Sequence, residues 1–110
     1  MPKYGNRETV IDGLKFDSAA EARRWCDLVL LQKAGRITQL ERQIPLQLVP
    51  GVKLRGEVRA RPAIRLVVDF RYVENGVTIW EDTKGMETTA SRMKRHMAKA
   101  LHGIDVRVTA

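Results

Sequence analysis

Two aspartates and a lysine near the middle of the chain have the types and spacing for chemistry on a phosphodiester. They are Asp69, Asp82 and Lys84, carried by the stretch AIRLVVDFRYVENGVTIWEDTKG from Ala63 to Gly85. Apolar, β-branched runs flank Asn75-Gly76, a dipeptide whose tolerance of positive φ suits a two-residue type I′ turn. With Glu74 opposite Val77, counting outward sets Tyr72 against Ile79, Phe70 against Glu81 and Asp69 against Asp82. Side chains so opposed share a face, with Cβ atoms roughly 4.5 to 5.5 Å apart. Alternation along the strand puts Lys84 on the face of Asp82 and turns Glu81 the other way. Two carboxylates opposed in this way repel unless something binds between them, and a divalent cation is the obvious occupant. Magnesium takes oxygen ligands and commonly only one or two protein carboxylates. Bound there it would polarise a phosphodiester oxygen and acidify a water, while Lys84 could orient that water and offset developing negative charge. The plain alternative is a surface triad in which Lys84 neutralises two aspartates and contributes little.

These residues need elements to hold them. Residues 1–8 read as a loose basic arm, and Asp12-Gly13 as the turn of a small hairpin at an edge. Ser18 to Glu21 reads as a capping box that opens a helix reaching about Ala34, with Gly35 closing it. Trp25, Leu28, Val29 and Leu31 form its apolar face, with Ala22 and Cys26 beside them; Arg23, Arg24, Asp27 and Lys33 form its wet face. Glu21 has two readings, a cap or a carboxylate near a metal, and spacing favours the cap. Ile37 to Val49 reads as a strand, placed at an edge or bent by Pro45. Gln43 within it reads as a solvated residue more readily than as a polar contact near a site. Pro50 to Pro62 is an exposed basic loop or ragged hairpin with Lys53, Arg55, Arg59 and Arg61, either a phosphate-contacting flap or a solvated loop. A second helix is expected from Thr88 or Thr89 to Gly103, with Ala90, Met93, Met97 and Leu101 on one face. Arg92, Arg95, His96 and Lys99 lie on another. No acidic residue falls between Thr88 and Ile104, which favours a phosphate-facing stripe. Ile104, Val106 and Val108 alternate as a last strand. The order hairpin, helix, strand, hairpin, helix, strand defines a single α/β or α+β domain over 9–110.

The bulk properties agree with a nucleic-acid partner. Twenty Lys and Arg against thirteen Asp and Glu give a net charge of +7 and a pI near 10.1, a surplus that favours a polyanion. Cys26 is the only cysteine, which excludes an internal disulfide and a cysteine-based zinc site, and it is expected to be a buried, inert thiol. No signal-like segment or long apolar run is present, so a soluble, intracellular protein without membrane association is expected. His96 and His102 share a helical face poorly, there is no GxSxG elbow, and the absence of a Walker-type loop argues against a nucleotide cofactor.

An aspartate in an apolar strand followed by Asp82-Thr83-Lys84 in the next resembles the PD-(D/E)XK nuclease superfamily with its restriction-endonuclease-like fold, although Val68 stands where that motif has proline. The whole chain is similar to a family of small, largely uncharacterised phage and prophage proteins assigned to that superfamily. The matching pieces are Asp12-Gly13, Phe16-Asp17-Ser18, Glu21-Ala22-Arg23, Gln43, Val68-Asp69-Phe70, Glu81 to Gly85 and the Arg92-Met93-Lys94-Arg95 helix. Ser91 stands where relatives are expected to carry an aromatic residue. The resemblance implies an αβββαβ core behind an N-terminal hairpin. It makes Glu21, Asp69, Asp82 and Lys84 catalytic, with Asp69, Asp82 and the Thr83 carbonyl around Mg²⁺ or a substituting Mn²⁺ and Glu21 assisting the metal or its water. Gln43 would line the site, and Arg92 or Arg95 would face it. The implied function is a metal-dependent DNA endonuclease acting on duplex or branched DNA, as junction resolvases do, in the cytoplasm of a bacterial host. A non-catalytic nucleic-acid-binding module with the same fold is the alternative, and a structural protein meeting an acidic partner is a weaker third. A homodimer stays open, since no stretch displays its interface.

Overall fold

The computed structural model describes residues 8–83 and 87–109. The elements are β1 (Thr9–Ile11), β2 (Leu14–Phe16), α1 (Ala19–Lys33), β3 (Thr38–Val49), β4 (Ile64–Glu74), β5 (Val77–Thr83), α2 (Thr89–His102) and β6 (Val106–Thr109). The protein is mixed α+β. A two-stranded hairpin, β1-β2, stands apart from a four-stranded sheet ordered β3-β4-β5-β6. The first three strands of that sheet pair antiparallel, and β6 returns through α2 to lie parallel to β5. The basic arm expected at 1–8 lies, apart from Glu8, outside the described residues; Glu8 pairs with Lys15 at 3.5 Å.

Turn chemistry sets the central register. Asn75 and Gly76 take φ of 51° and 76°, the two positive values a type I′ turn requires. The strands then pair Glu74 with Val77, Tyr72 with Ile79 and Phe70 with Glu81, as counted from the turn. Pro45, which cannot donate to a ladder, sits in β3 at the edge of the sheet.

Both helices begin on a hydroxyl and end on a glycine. Ser18, in extended backbone, accepts the Glu21 N–H at 3.1 Å, and Gly35 turns left-handed after Ala34. Thr88 accepts the Ser91 N–H at 3.1 Å, and Gly103 closes α2 at φ 67°. The helix α1 sets Leu28 against Ile37, Phe70 and Tyr72, with Trp25 and Leu31 beside them. The Trp25 ring lies 6.3 Å from Phe16 and 6.1 Å from Phe70. Cys26 is half-buried rather than buried, and Arg24 leaves the wet face to reach the sheet, as described below.

The helix α2 is rotated from its expected orientation. Ala98 is fully buried against Leu48, Leu66, Val68 and Val106, whereas Met93 and Leu101 are more than half exposed. A small residue at the closest approach lets the helix backbone come near the sheet. The inward edge therefore runs through Ser91, Lys94, Arg95 and Ala98 at i, i+3, i+4, i+7 spacing.

The Pro50 to Pro62 segment is a ragged flap. Its one bridge pairs Val52 with Arg61, whose backbones exchange both hydrogen bonds. The long β3 and β4 and this flap stretch the molecule to 55 × 37 × 23 Å with a radius of gyration of 16.0 Å, against about 13 Å for a compact chain of this length. Among the described residues, no helix is long and apolar enough to cross a membrane.

Candidate functional site: carboxylates at a fork in the sheet

The central hairpin splits at its open end. The ladder between β4 and β5 runs to Phe70 and Glu81. Beyond that step β4 stays with β3 and β5 stays with β6, where Asp82 pairs with Val108 and Thr83 with Thr109. At the fork each strand's carboxylate reaches across to the other strand's backbone. The Asp69 N–H donates to Asp82 Oδ1 at 2.8 Å, and the Thr83 N–H donates to Asp69 Oδ2 at 2.9 Å. Counting from the turn set Asp69 opposite Asp82 as a ladder pair; the ladder instead ends at Phe70 and Glu81, and the two aspartates are brought together by these bonds, each satisfying a backbone donor that the parting strands would otherwise strand in the interior. Their proximity thus has an internal stabilisation that the pairing argument omitted. Asp82 is fully buried and Asp69 half-buried.

Helix α1 and strand β3 bring a third carboxylate toward this fork. Glu21 is 4% exposed. Its Oε1 accepts from Gln43 Nε2 at 2.9 Å, and the same nitrogen lies 3.5 Å from Asp69 Oδ1. Glu21 is therefore engaged with the sheet, beyond the capping role that spacing favoured. Gln43, read as a solvated strand residue, is the link between helix and hairpin instead. It adopts φ of 55° inside a strand, a left-handed conformation that costs a non-glycine residue free energy and turns its side chain out of simple alternation. Burial raises the Glu21 carboxyl above its usual range, with the nearby Asp17 charge adding to the effect; Arg42 and the Gln43 amide pull it back.

Arg42 and Asp17 are neighbours of the site to which sequence reading assigned no role, although Asp17 lies within the Phe16-Asp17-Ser18 match. The Arg42 guanidinium lies 4.4 Å over the Phe16 ring and donates to the Lys15 carbonyl at 2.6 Å. Its adjacency to Gln43 was the available signal.

Glu81 points away from this cluster, as alternation requires. It is fully buried, takes Arg24 Nε and Nη2 at 2.6 and 3.0 Å, and accepts the Tyr72 hydroxyl at 2.7 Å. Burial, reinforced by that bond to Glu81, pushes the Tyr72 phenol up to about 12. This bidentate pair pins α1 to the sheet one residue from Asp82.

Lys84, expected on the Asp82 face, lies outside the described residues. Among the described residues no cluster of three or more His, Cys, Asp or Glu forms a ready metal site. The basic residues fall into two groups. On the flap, Arg61 is forked by Glu57 at 2.9 and 2.8 Å, while Lys53, Arg55 and Arg59 are exposed. On α2, Arg92, Arg95, His96 and Lys99 line one groove. The helix itself holds no acid, but Glu87 before it pairs with Arg92 and Arg95, and Asp105 beyond it pairs with Lys99 at 3.3 Å. The stripe is thus partly neutralised from its two ends.

Fold and site together define a mixed α+β domain that gathers buried carboxylates at the fork of its central hairpin. The chain belongs to the family described as "Protein of unknown function (DUF1064)", which matches it over residues 1–109. No curated protein and no solved structure matches it.

Proposed function

We propose that this protein is a metal-dependent DNA endonuclease of the restriction-endonuclease-like kind. The observation that carries the reading is the fork, where Asp69 and Asp82 come together from two parting strands and Gln43 ties Glu21 to them. The element order from α1 onward, α-β-β-β-α-β, supports it, because that superfamily's core has this order.

The donor set fits a hard cation. Glu21, Asp69, Asp82 and the Thr83 carbonyl offer only oxygen, the ligand type Mg²⁺ and Mn²⁺ take. Asp69 and Asp82 would hold the ion with the Thr83 carbonyl, and Glu21 would act on it or on its water. The ion supplies charge stabilisation at the phosphoryl group and an acidified water. The chain's own groups do the rest. The backbone N–H bonds fix the carboxylates in orientation before any ligand arrives, Gln43 sets the reach of Glu21, and burial raises the Glu21 carboxyl above its ordinary value, which makes it a better proton acceptor than an exposed glutamate. Lys84 would offset charge on the phosphoryl oxygens, and the cations of the flap and α2 would seat the DNA backbone.

The same bonds favour a second reading. Asp69 and Asp82 each already accept a backbone N–H, so the pair also has a structural use, and a non-catalytic nucleic-acid-binding module would need no more. Calorimetric titration with Mn²⁺ separates the two. The nuclease reading predicts binding that Asp69→Asn abolishes while DNA affinity in chelator stays within about twofold. The module predicts no metal binding and salt-dependent DNA binding unchanged in Asp69→Asn.

A further inference from the structure

The segment from Pro50 to Val67 combines charge with exposed apolar surface. It carries Lys53, Arg55, Arg59, Arg61 and Arg65 against one acid, Glu57. It leaves Val52, Leu54, Ile64 and Val67 between 41% and 51% exposed, and Val58 at 90%. The flap is nonetheless built. Val52 and Arg61 are bridged in both directions, Glu57 forks Arg61, and a Cβ at Gly51 would stand 2.6 Å from the Arg61 carbonyl oxygen. Against it lies a cleft of ≈ 740 Å³, with Val52, Leu54 and Ile64 among its apolar walls and Arg61, Arg65 and Lys94 among its cations.

We infer that this cleft holds an unpaired stretch of nucleic acid, with base faces on the aliphatic walls and phosphates on the cations. That the polymer is nucleic acid rests on the function proposed above; that it is unpaired rests on the cleft. Paired DNA hides its base faces in the stack and offers a protein mainly phosphates and groove edges, which would leave the apolar walls in water. An unpaired strand presents apolar faces and phosphates together. A second copy of this chain would bring the same positive surplus to the same cations. The cleft and the fork share strand β4: Arg65 lines the cleft and Asp69 stands at the fork. The four steps along β4 from Arg65 to Asp69 span about 13 Å at roughly 3.3 Å per residue. A strand seated in the cleft is therefore delivered to the carboxylates, and the substrate class is DNA in which a paired segment meets an unpaired one.

The test is fluorescence anisotropy of the full chain in chelator, where no cleavage occurs, with a short duplex and the same duplex carrying a central unpaired segment that contains 2-aminopurine. The unpaired form should bind about tenfold tighter and change its 2-aminopurine signal. Leu54→Ser should cut that preference to about threefold or less while duplex affinity stays within about twofold, and Lys94→Ala should weaken the unpaired form more than the duplex, cutting the preference likewise. Leu54 is half exposed, so its variant should keep the parental melting curve. Equal affinity for the two DNAs, a preference untouched by both variants, or tighter Leu54-dependent binding to phosphatidylglycerol vesicles overturns the inference. Preference for the unpaired form without any cleavage in Mg²⁺ removes the nuclease reading alone; cleavage of both forms with equal affinity removes the cleft alone.

Discussion

Gln43 joins backbone strain to the chemistry of the site. A left-handed φ of 55° is held because the amide bonds Glu21 at 2.9 Å and approaches Asp69. Gln43→Ala keeps the strain and removes the bond, so it should destabilise the fold by about 1 to 2 kcal/mol. Gln43→Gly removes both and should recover roughly 1 kcal/mol of that loss. Urea unfolding of the two variants checks this, and equal midpoints would contradict it. Glu21 yields a pH signature. Its folded carboxyl titrates above the unfolded one, so its contribution to stability is fully present below about pH 4.5 and is lost as pH rises through the folded value. Glu21→Gln removes that loss: its melting temperature should exceed the parental one at pH 7 to 8 and converge with it on acidification. A difference that grows toward acid would refute the assignment. Arg24 bears on stability alone. Its truncation leaves Glu81 buried with one bond from Tyr72 and should cost about 3 kcal/mol in urea; retention of full stability would mean that water reaches Glu81.

At the scale of elements, the parts set by local chemistry were legible. Asn75-Gly76 gave the register to Phe70 and Glu81, Ser18 and Thr88 gave the helix starts, and Gly35 and Gly103 gave their ends. What escaped depends on long-range packing. Arg24 looked solvated because nothing in its own helix shows that Glu81 lies beneath it. Met93 and Leu101 looked like core because an apolar stripe does not reveal that the helix docks on Ala98. Gln43 was the hardest, since a left-handed residue breaks the alternation from which strand faces are read. The aspartates at the fork were legible as neighbours, but their bonds to Thr83 and Asp69 N–H were not, because nothing in the pairing pattern shows where two strands part. The flap offers an element-scale test. Gly51→Ala would drive a Cβ against the Arg61 carbonyl and should displace the flap, lowering affinity for unpaired DNA while the sheet melts within about 1 kcal/mol of the parent. Unchanged affinity would show that the flap takes no part in binding.

For the molecule as a whole, charge placement governs how DNA would be held. The surplus of +7 is divided between a projecting flap and the α2 groove, and Glu57, Glu87 and Asp105 already pair with some of it. Lys53, Arg55 and Arg59 are exposed on the flap. Replacing Arg55 and Arg59 together by Ala should reduce the slope of log affinity against log salt by roughly 2, and an unchanged slope would place the DNA elsewhere. The elongated form suits a substrate that runs from the flap along β4 to the fork. The most direct test of the central claim is cleavage of plasmid, forked and four-way-junction DNA by the purified chain in Mg²⁺ or Mn²⁺, beside Asp69→Asn, Asp82→Ala and Lys84→Ala. Cleavage by the parent that stops in chelator and in all three variants is the predicted result; no cleavage of any substrate, or cleavage that survives Asp82→Ala and Lys84→Ala, would contradict it.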